Sequence, residues 1–459
     1  MIGMIGRQAF HPRRKTMPRH ILILLVSLAA LQLASVQARA ADFPLKDGDI
    51  WVMAGDSLTA QHLHSNYFEA FCFARYPNLK FAFRNSGYGG DTIPTVLARF
   101  DYDIAGWKPT VVSVELGMND HHGTPTDKFV ANMGTMVERI RSIKARPVIL
   151  SPSPINQGST MANLSGNKPL HEYALALKDF SAQEQIPYAD QFHALIDIWG
   201  MNKPKETLAN AMPALKQAAT DDTLTGVQHL RALLEAQAKS PAPMVSMQGD
   251  WVHPGPPGQL MMAAALLKEL GADGFVSSLV LDATGKVVES KGCKADAIKA
   301  DAGRLEFDRL DERLPFPIPD DTQAVLPLCP TILDLSRYTL KVTGLKEGSY
   351  TLKLNGIISA TLSAKELATG VNLTALDPIP QAKDVSPIVA QSRAILAAVA
   401  NKEGLVSQWR DQSRRAHAKD AAPALTEQLP ALTTKVEEAD EKIRQAAQPQ
   451  KLHFELSPQ

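Results

Sequence analysis

From Asp47 to about Val280, short apolar runs alternate with amphipathic segments. Asp49-Ile-Trp-Val-Met-Ala54 reads as a first strand. Ser65 to Tyr76 sets Tyr67, Phe68, Phe71 and Cys72 on one face at helical spacing. Leu79 to Arg84 alternates like a strand, and Thr92 to Ile104 reads as a helix. Thr110 to Glu115 is a near-continuous apolar run suited to a buried parallel strand. Pro147 to Leu150 and Pro187 to Asp190 continue that series. Helical patterns over Thr126 to Lys144 and Leu170 to Gln185 separate them. Strands alternating with helices predict a parallel sheet covered on both faces. Residues 200–245 interrupt the rhythm with Ala- and Leu-rich sequence, read as a helical insertion placed to wall a site, and Gly258 to Leu270 resumes the core.

The pattern then changes. Leu279 to Val288, Leu305 to Leu310, Tyr338 to Val342 and Gly348 to Leu354 read as strands, and Lys346-Glu-Gly348 is a hairpin signal between the last two. Val385 to Ala447 has helical periodicity broken near Pro423 and Pro430. The expected organisation is an N-terminal segment 1–40, a main domain 41–279, a small β-rich domain 280–375 and a helical C-terminal region 376–459.

Composition changes this picture in two places. The 459 residues carry 48 basic and 48 acidic side chains, but the first 40 hold six basic residues and no acid. Arg13, Arg14, Lys15 and Arg19 precede an apolar run from Ile21 to Leu33, and Ala38-Arg39-Ala40 follows as a small-x-small site. That is the grammar of a signal peptide cleaved after Ala40, too short in its apolar part to span a bilayer comfortably. The expected location is secreted or periplasmic, with membrane contact only through this segment. Without it, 42 basic residues stand against 48 acidic ones, a net charge of −6, which argues against a nucleic-acid partner. Three cysteines allow at most one internal disulfide. Cys293 and Cys329 are the plausible pair, while Cys72 lies in an apolar stretch that suits a buried free thiol. No Cys/His spacing suggests a metal site, and no cofactor is expected.

Four blocks fall where strands should end. Gly55-Asp56-Ser57-Leu58 puts a serine at a strand-to-helix turn, which alone is as ordinary as a helix cap. Asn85-Ser-Gly-Tyr-Gly-Gly-Asp-Thr92 brings clustered glycines, with Gly90 placed to offer a backbone N–H, or simply a flexible loop. Glu115-Leu-Gly-Met-Asn-Asp120 offers the Asn119 amide, or an Asn-Asp turn. Gln248-Gly-Asp-Trp-Val-His253 spaces Asp250 and His253 three apart. The carboxylate can then fix the imidazole tautomer, although many such pairs are ordinary surface residues.

Taken together, in this order, the blocks resemble the SGNH (GDSL-like) hydrolase family over about Gly48 to Leu270. The resemblance implies a flavodoxin-like three-layer α/β/α core with a parallel sheet. It implies Ser57 as nucleophile, His253 as general base and Asp250 as its orienting acid. The oxyanion hole would be formed by the Ser57 and Gly90 N–H groups and the Asn119 side chain. His122 and Trp251 are further candidates for substrate contact; His62 and His64 read as helix-surface residues. The expected activity is a secreted serine esterase acting through an acyl-enzyme, with acetylated carbohydrate as the attractive substrate. A lipase or lysophospholipase is the alternative within the class. A glycan-binding or scaffold protein with an inactive hydrolase domain is the alternative outside it.

Overall fold

The computed structural model describes residues 43–199, 205–239, 247–376, 384–419 and 421–459. The segment expected to be a signal peptide and the two ends of the insertion lie outside these residues. The first half runs β1 Asp49–Gly55, α1 Ser57–Ala60, α2 His64–Arg75, β2 Phe81–Gly87, α3 Ile93–Arg99, β3 Val111–Glu115, α4 Thr126–Ser142, β4 Arg146–Leu150, α5 Lys168–Gln183, β5 Tyr188–Ala189, α6 Phe192–Leu195, α7 Lys205–Ala218, α8 Val227–Lys239 and α9 Pro256–Glu269. The five strands form one parallel sheet in the order β2-β1-β3-β4-β5. This is the doubly wound flavodoxin-like order, whose direction reverses beside β1.

Alternation along each strand feeds two cores. Trp51, Met53, Phe81, Phe83 and Val148 face one side with Phe68 and Phe71 of α2 and Leu260 of α9. Val52, Ala54, Val112, Val114 and Ile149 face the other, against Val96 of α3, Met133 and Ile140 of α4, and Leu177 of α5. Both faces are therefore sealed, and ligand access is left to the ends of the strands.

The second half begins with β6 Phe275–Asp282, β7 Val287–Lys291, β8 Cys293–Asp301, β9 Arg304–Asp311, β10 Arg337–Thr343, β11 Ser349–Leu354, β12 Ile357–Ser363, α10 Ala364–Thr369 and β13 Val371–Asn372. It ends with α11 Pro387–Ala416, α12 Pro423–Glu427, α13 Leu429–Ala446 and β14 Leu452–Pro458. Two sheets, β13-β10-β6-β7 and β12-β11-β14-β9-β8, share a core of residues such as Leu279, Phe307, Leu340, Leu352 and Phe454.

Several expectations are corrected. Lys346-Glu-Gly348 does not turn a hairpin: β10 and β11 belong to different sheets, so the chain crosses the sandwich there. The hairpin lies at the next turn, where Asn355 and Gly356 both take positive φ (51° and 78°) between the antiparallel β11 and β12, as a tight two-residue turn requires. The C-terminal region is not wholly helical. Leu452, Phe454 and Leu456 alternate inward as β14, which pairs with both β9 and β11. Cys293 and Cys329 are both free. Cys293 opens β8 in the sandwich, whereas Cys329 packs beside α9.

Helices α11 and α13 are not a separate appendage. They lie along β2, the edge strand of the parallel sheet. Arg444 Nη1 donates to Phe81 O (2.8 Å), Lys402 Nζ to Phe83 O (2.9 Å) and Arg410 Nη1 to Gly87 O (2.8 Å). Three cations thus occupy edge carbonyls that a further strand would otherwise reach. Val399 joins one core of the sheet, and Val406, Trp409 and Val436 join the other. Lys402 is completely buried between Glu69 (2.8 Å) and Glu403. Burial raises the Glu69 carboxyl, while Lys402 and His62 outweigh burial at Glu403 and lower it.

Candidate active site

Ser57 opens α1 immediately after β1. Asp56 caps that turn by accepting from Leu58 N–H (3.0 Å). At the first helical position the Ser57 N–H has no intrahelical acceptor and is free to bind an anion. Asp56 itself is sealed off: burial, then the charge of Glu115, pushes its carboxyl up to about 8.

Ser57 Oγ lies 2.7 Å from His253 Nε2. His253 Nδ1–H donates to Asp250 Oδ2 at 2.8 Å, leaving Nε2 as the acceptor for the serine hydroxyl proton. The Asp250–His253 loop is closed on itself. Asp250 Oδ1 accepts from the Val252 and His253 N–H groups, both at 2.7 Å, and Asp250 N–H donates to His253 O at 3.1 Å. Gly249 makes this closure possible, because its φ is +73° and a Cβ there would lie 2.0 Å from His253 O. Partial burial pushes the Asp250 carboxyl up, but the hydrogen bonds from His253 and Val252 outweigh it and hold the pKa below the usual range.

The second and third blocks meet beside Ser57. A Cβ built on Gly89 would lie 4.0 Å from Ser57 Cβ. Tyr88 O accepts from Asp91 N–H (3.2 Å), closing a turn whose third residue is Gly90 at φ +82°, a conformation that favours glycine. Asn119 Nδ2 donates to Asp91 O at 2.9 Å. The amide has two N–H groups, so one remains for a ligand. Trp251, in the Asp250–His253 loop, is 52% exposed, and Tyr88, beside Gly89, is 49% exposed. His122 stands exposed on the turn after Asn119, its ring 4.1 Å from that of His121.

His64 is a clear correction: it is fully buried rather than on a helix surface. Its Nε2–H donates to Glu115 Oε2 (3.0 Å) and its Nδ1–H to Gln259 Oε1 (2.7 Å). Burial disfavours the imidazolium, yet Glu115 prevails and raises the His64 pKa; reciprocally, His64 outweighs burial and lowers that of Glu115. Thr59 and Gln191 complete the Glu115 shell, and Gln259 Nε2 donates onward to Pro254 O (3.2 Å), next to His253. This buried pair ties the serine helix to the histidine loop. Nothing in residue spacing signals it, because its members are far apart in sequence. His62 takes a positive φ (57°) and lies near Ser407 and Glu403 of α11. Among the described residues, no three His, Cys, Asp or Glu side chains converge as metal ligands.

Residues 53–261 match the model of the GDSL-like lipase/acylhydrolase family. This segment is a GDSL-like acylhydrolase domain. Its class of chemistry is the hydrolysis of ester bonds. The acylhydrolase domain ends within α9, so the sandwich and the tail helices lie outside the family match. The fold of the longer chain has a counterpart in the structure of a gut microbial diltiazem-metabolizing enzyme, with 21% identity and a TM-score of 0.67, covering 91% of this chain and 99% of that one. Axe2, an acetylxylan esterase from Geobacillus stearothermophilus, aligns with 50% of this chain and 96% of its own at 18% identity and a TM-score of 0.36. No curated protein sequence matches the chain.

Proposed function

We propose that the protein is an exported serine esterase whose nucleophile is Ser57. The observation that carries this reading is the continuous hydrogen-bonded line from Ser57 Oγ through His253 to Asp250. In this mechanism Ser57 Oγ attacks the ester carbonyl carbon while its proton passes to His253 Nε2. Asp250 holds the ring and stabilises the imidazolium. The oxyanion of the tetrahedral intermediate takes hydrogen bonds from the Ser57 N–H, the Gly90 N–H and the second N–H of Asn119 Nδ2. Collapse expels the alcohol, which takes the proton from His253. Water then attacks the acyl-enzyme by the same route, releasing the carboxylic acid and restoring Ser57. No other group is required for these steps to balance.

The finer reading is a short-acyl ester on carbohydrate. Tyr88 and Trp251 are the exposed large aromatic side chains among the described residues; one precedes Gly89, which lies against Ser57, and the other lies in the Asp250–His253 loop. Exposed flat rings on the two loops that carry the site suit the C–H faces of sugar rings, and each keeps a polar atom for hydrogen bonding. A lipase would instead need a continuous apolar groove for the chain. Export rests on the basic, apolar and small-x-small order of residues 13–40.

Two measurements test this reading. A fluorophosphonate probe should label the wild-type enzyme at Ser57 and leave Ser57→Ala unlabelled; labelling that persists in the variant would sink the nucleophile. In a series of p-nitrophenyl esters from acetate to palmitate, kcat/KM should fall with chain length, and a rise would favour the lipase alternative. For export, the chain recovered from the periplasm or medium should begin at Ala41.

A further inference from the structure

A second cleft, of about 370 Å³, opens beside the Gly89–Asp91 turn. One wall comes from the segment after β2 and includes Tyr88, Thr95 and Tyr102. The other comes from α11, some 300 residues later, and includes Ser407, Asp411 and Arg414. Its start is next to the nucleophile, because Tyr88 precedes Gly89, which lies against Ser57.

The cleft has a fixed floor. Arg99 Nε binds Asp91 Oδ2 (2.7 Å), its Nη2 binds Ser86 O (2.7 Å), and it also meets Asp103. Arg410 Nε binds Asp103 Oδ1 (2.7 Å) while its Nη1 holds Gly87 O (2.8 Å). These buried charges satisfy one another and pin the turn at Asp91 and at Gly87. Above them remain the exposed Tyr88 ring, the Ser407 hydroxyl and the Asp411–Arg414 pair, whose side chains are more than half exposed. An aromatic face, a planar guanidinium fork, a carboxylate and a hydroxyl suit a polyhydroxylated ring with vicinal hydroxyls. Apart from Ala98, the lining offers no aliphatic side chain to an acyl tail.

We propose that this cleft is the subsite for the sugar that carries the ester, and that Asp411 and Arg414 of α11 recognise its hydroxyls. The C-terminal helix then contributes to substrate selection as well as to the fold. The inference rests on the carbohydrate-ester reading above.

The test is the ratio of kcat/KM for acetylated xylobiose to that for p-nitrophenyl acetate, which has no sugar. In Arg414→Ala and in Asp411→Ala the ratio should fall about tenfold to a hundredfold, the scale of one hydrogen bond to a charged group. The loss should appear mainly as a higher KM for the sugar ester. Arg414→Lys, which keeps the charge but loses the planar fork, should lie between. A ratio that does not move, or a fall shared equally by both substrates, overturns the subsite. If the wild-type enzyme turns over p-nitrophenyl acetate but no acetylated sugar, the carbohydrate reading itself falls, and the subsite with it.

Discussion

The chain builds the same small device twice. At Asp250–His253 and at Asp190–His193, an aspartate and a histidine three residues apart share an Nδ1–Oδ2 hydrogen bond, of 2.8 and 2.6 Å. In both, Asp Oδ1 also accepts the backbone N–H of the histidine, at 2.7 and 3.1 Å. Their surroundings differ. His253 is partly exposed and presents Nε2 to Ser57 Oγ. His193 is fully buried, and its Nε2 has no hydrogen-bond partner. His193 lines a cavity of about 450 Å³ between α8 and α9, of mixed polar and apolar lining, that includes Cys329, whose thiol burial pushes up to about 12. A neutral thiol is a poor nucleophile. The spacing therefore fixes a tautomer, and reaction needs a nucleophile and oxyanion donors at the free nitrogen.

Breaking the exposed device should have the largest effect. Ser57→Ala or His253→Ala should reduce kcat on p-nitrophenyl acetate by about 10⁶-fold, as for other serine–histidine pairs, with little change in Tm. Asp250→Asn should cost up to about 10⁴-fold, the scale of triads with a buried acid. The loss should be smaller here because this carboxylate is largely exposed. Asn119→Ala should cost about 10²–10³-fold in kcat, the effect of one lost oxyanion donor. The buried device should respond in stability instead. Asp190→Asn should destabilise by about 1–3 kcal/mol, the scale of a disrupted buried hydrogen bond, read as a lower midpoint in urea. Its kcat per folded molecule should stay within about twofold. A large kcat loss in Asp190→Asn would erase the distinction between the two sites.

The contrast also extends to pH. At Asp190, hydrogen bonding from His193 outweighs burial and depresses the carboxyl. Its contribution is present above the unfolded pKa and is lost as pH falls through the folded one. At Asp56 the sign is reversed. The carboxyl sits at about 8 against 3.8 unfolded, so the folded state holds a proton that the unfolded chain releases, and stability falls as pH rises between those values. His64 acts in the same direction. Its raised pKa gives stability that is complete below about 6.5 and lost as pH rises through its folded value. Tm should therefore decline from pH 5 to pH 8, and Asp56→Asn, which can still cap Leu58, should flatten that decline.

The two devices also measure what the sequence can convey. The parallel core was legible because short apolar or alternating runs recur between helical patterns, and β1, β2 and β3 end in blocks rich in Gly, Ser or Asn. Ser57 and His253 stood out because four blocks occur in order; three do follow β1, β2 and β3, but Gln248–His253, expected at a strand end, lies instead in the loop before α9. Asp190–His193 has the same spacing with no such company, and spacing alone cannot separate one from the other. The hairpin expected at Lys346–Gly348 failed because period-two alternation says which face of a strand is buried but not which sheet it joins. The Asn355-Gly356 turn and the alternation of Leu452, Phe454 and Leu456 were available signals for the β11–β12 hairpin and for β14. His64 with Glu115 and Arg410 with Gly87 were not legible, since long-range polar partners leave no local pattern.

Lys402, Arg410 and Arg444, which cover the β2 edge carbonyls, have a consequence in time. Synthesis proceeds from the N-terminus, so β1 to β5 are available long before these three cations arrive. Until then the sheet has an unprotected margin, open to pairing with another copy. A chain ending near residue 385 would therefore be an aggregating species rather than a smaller enzyme.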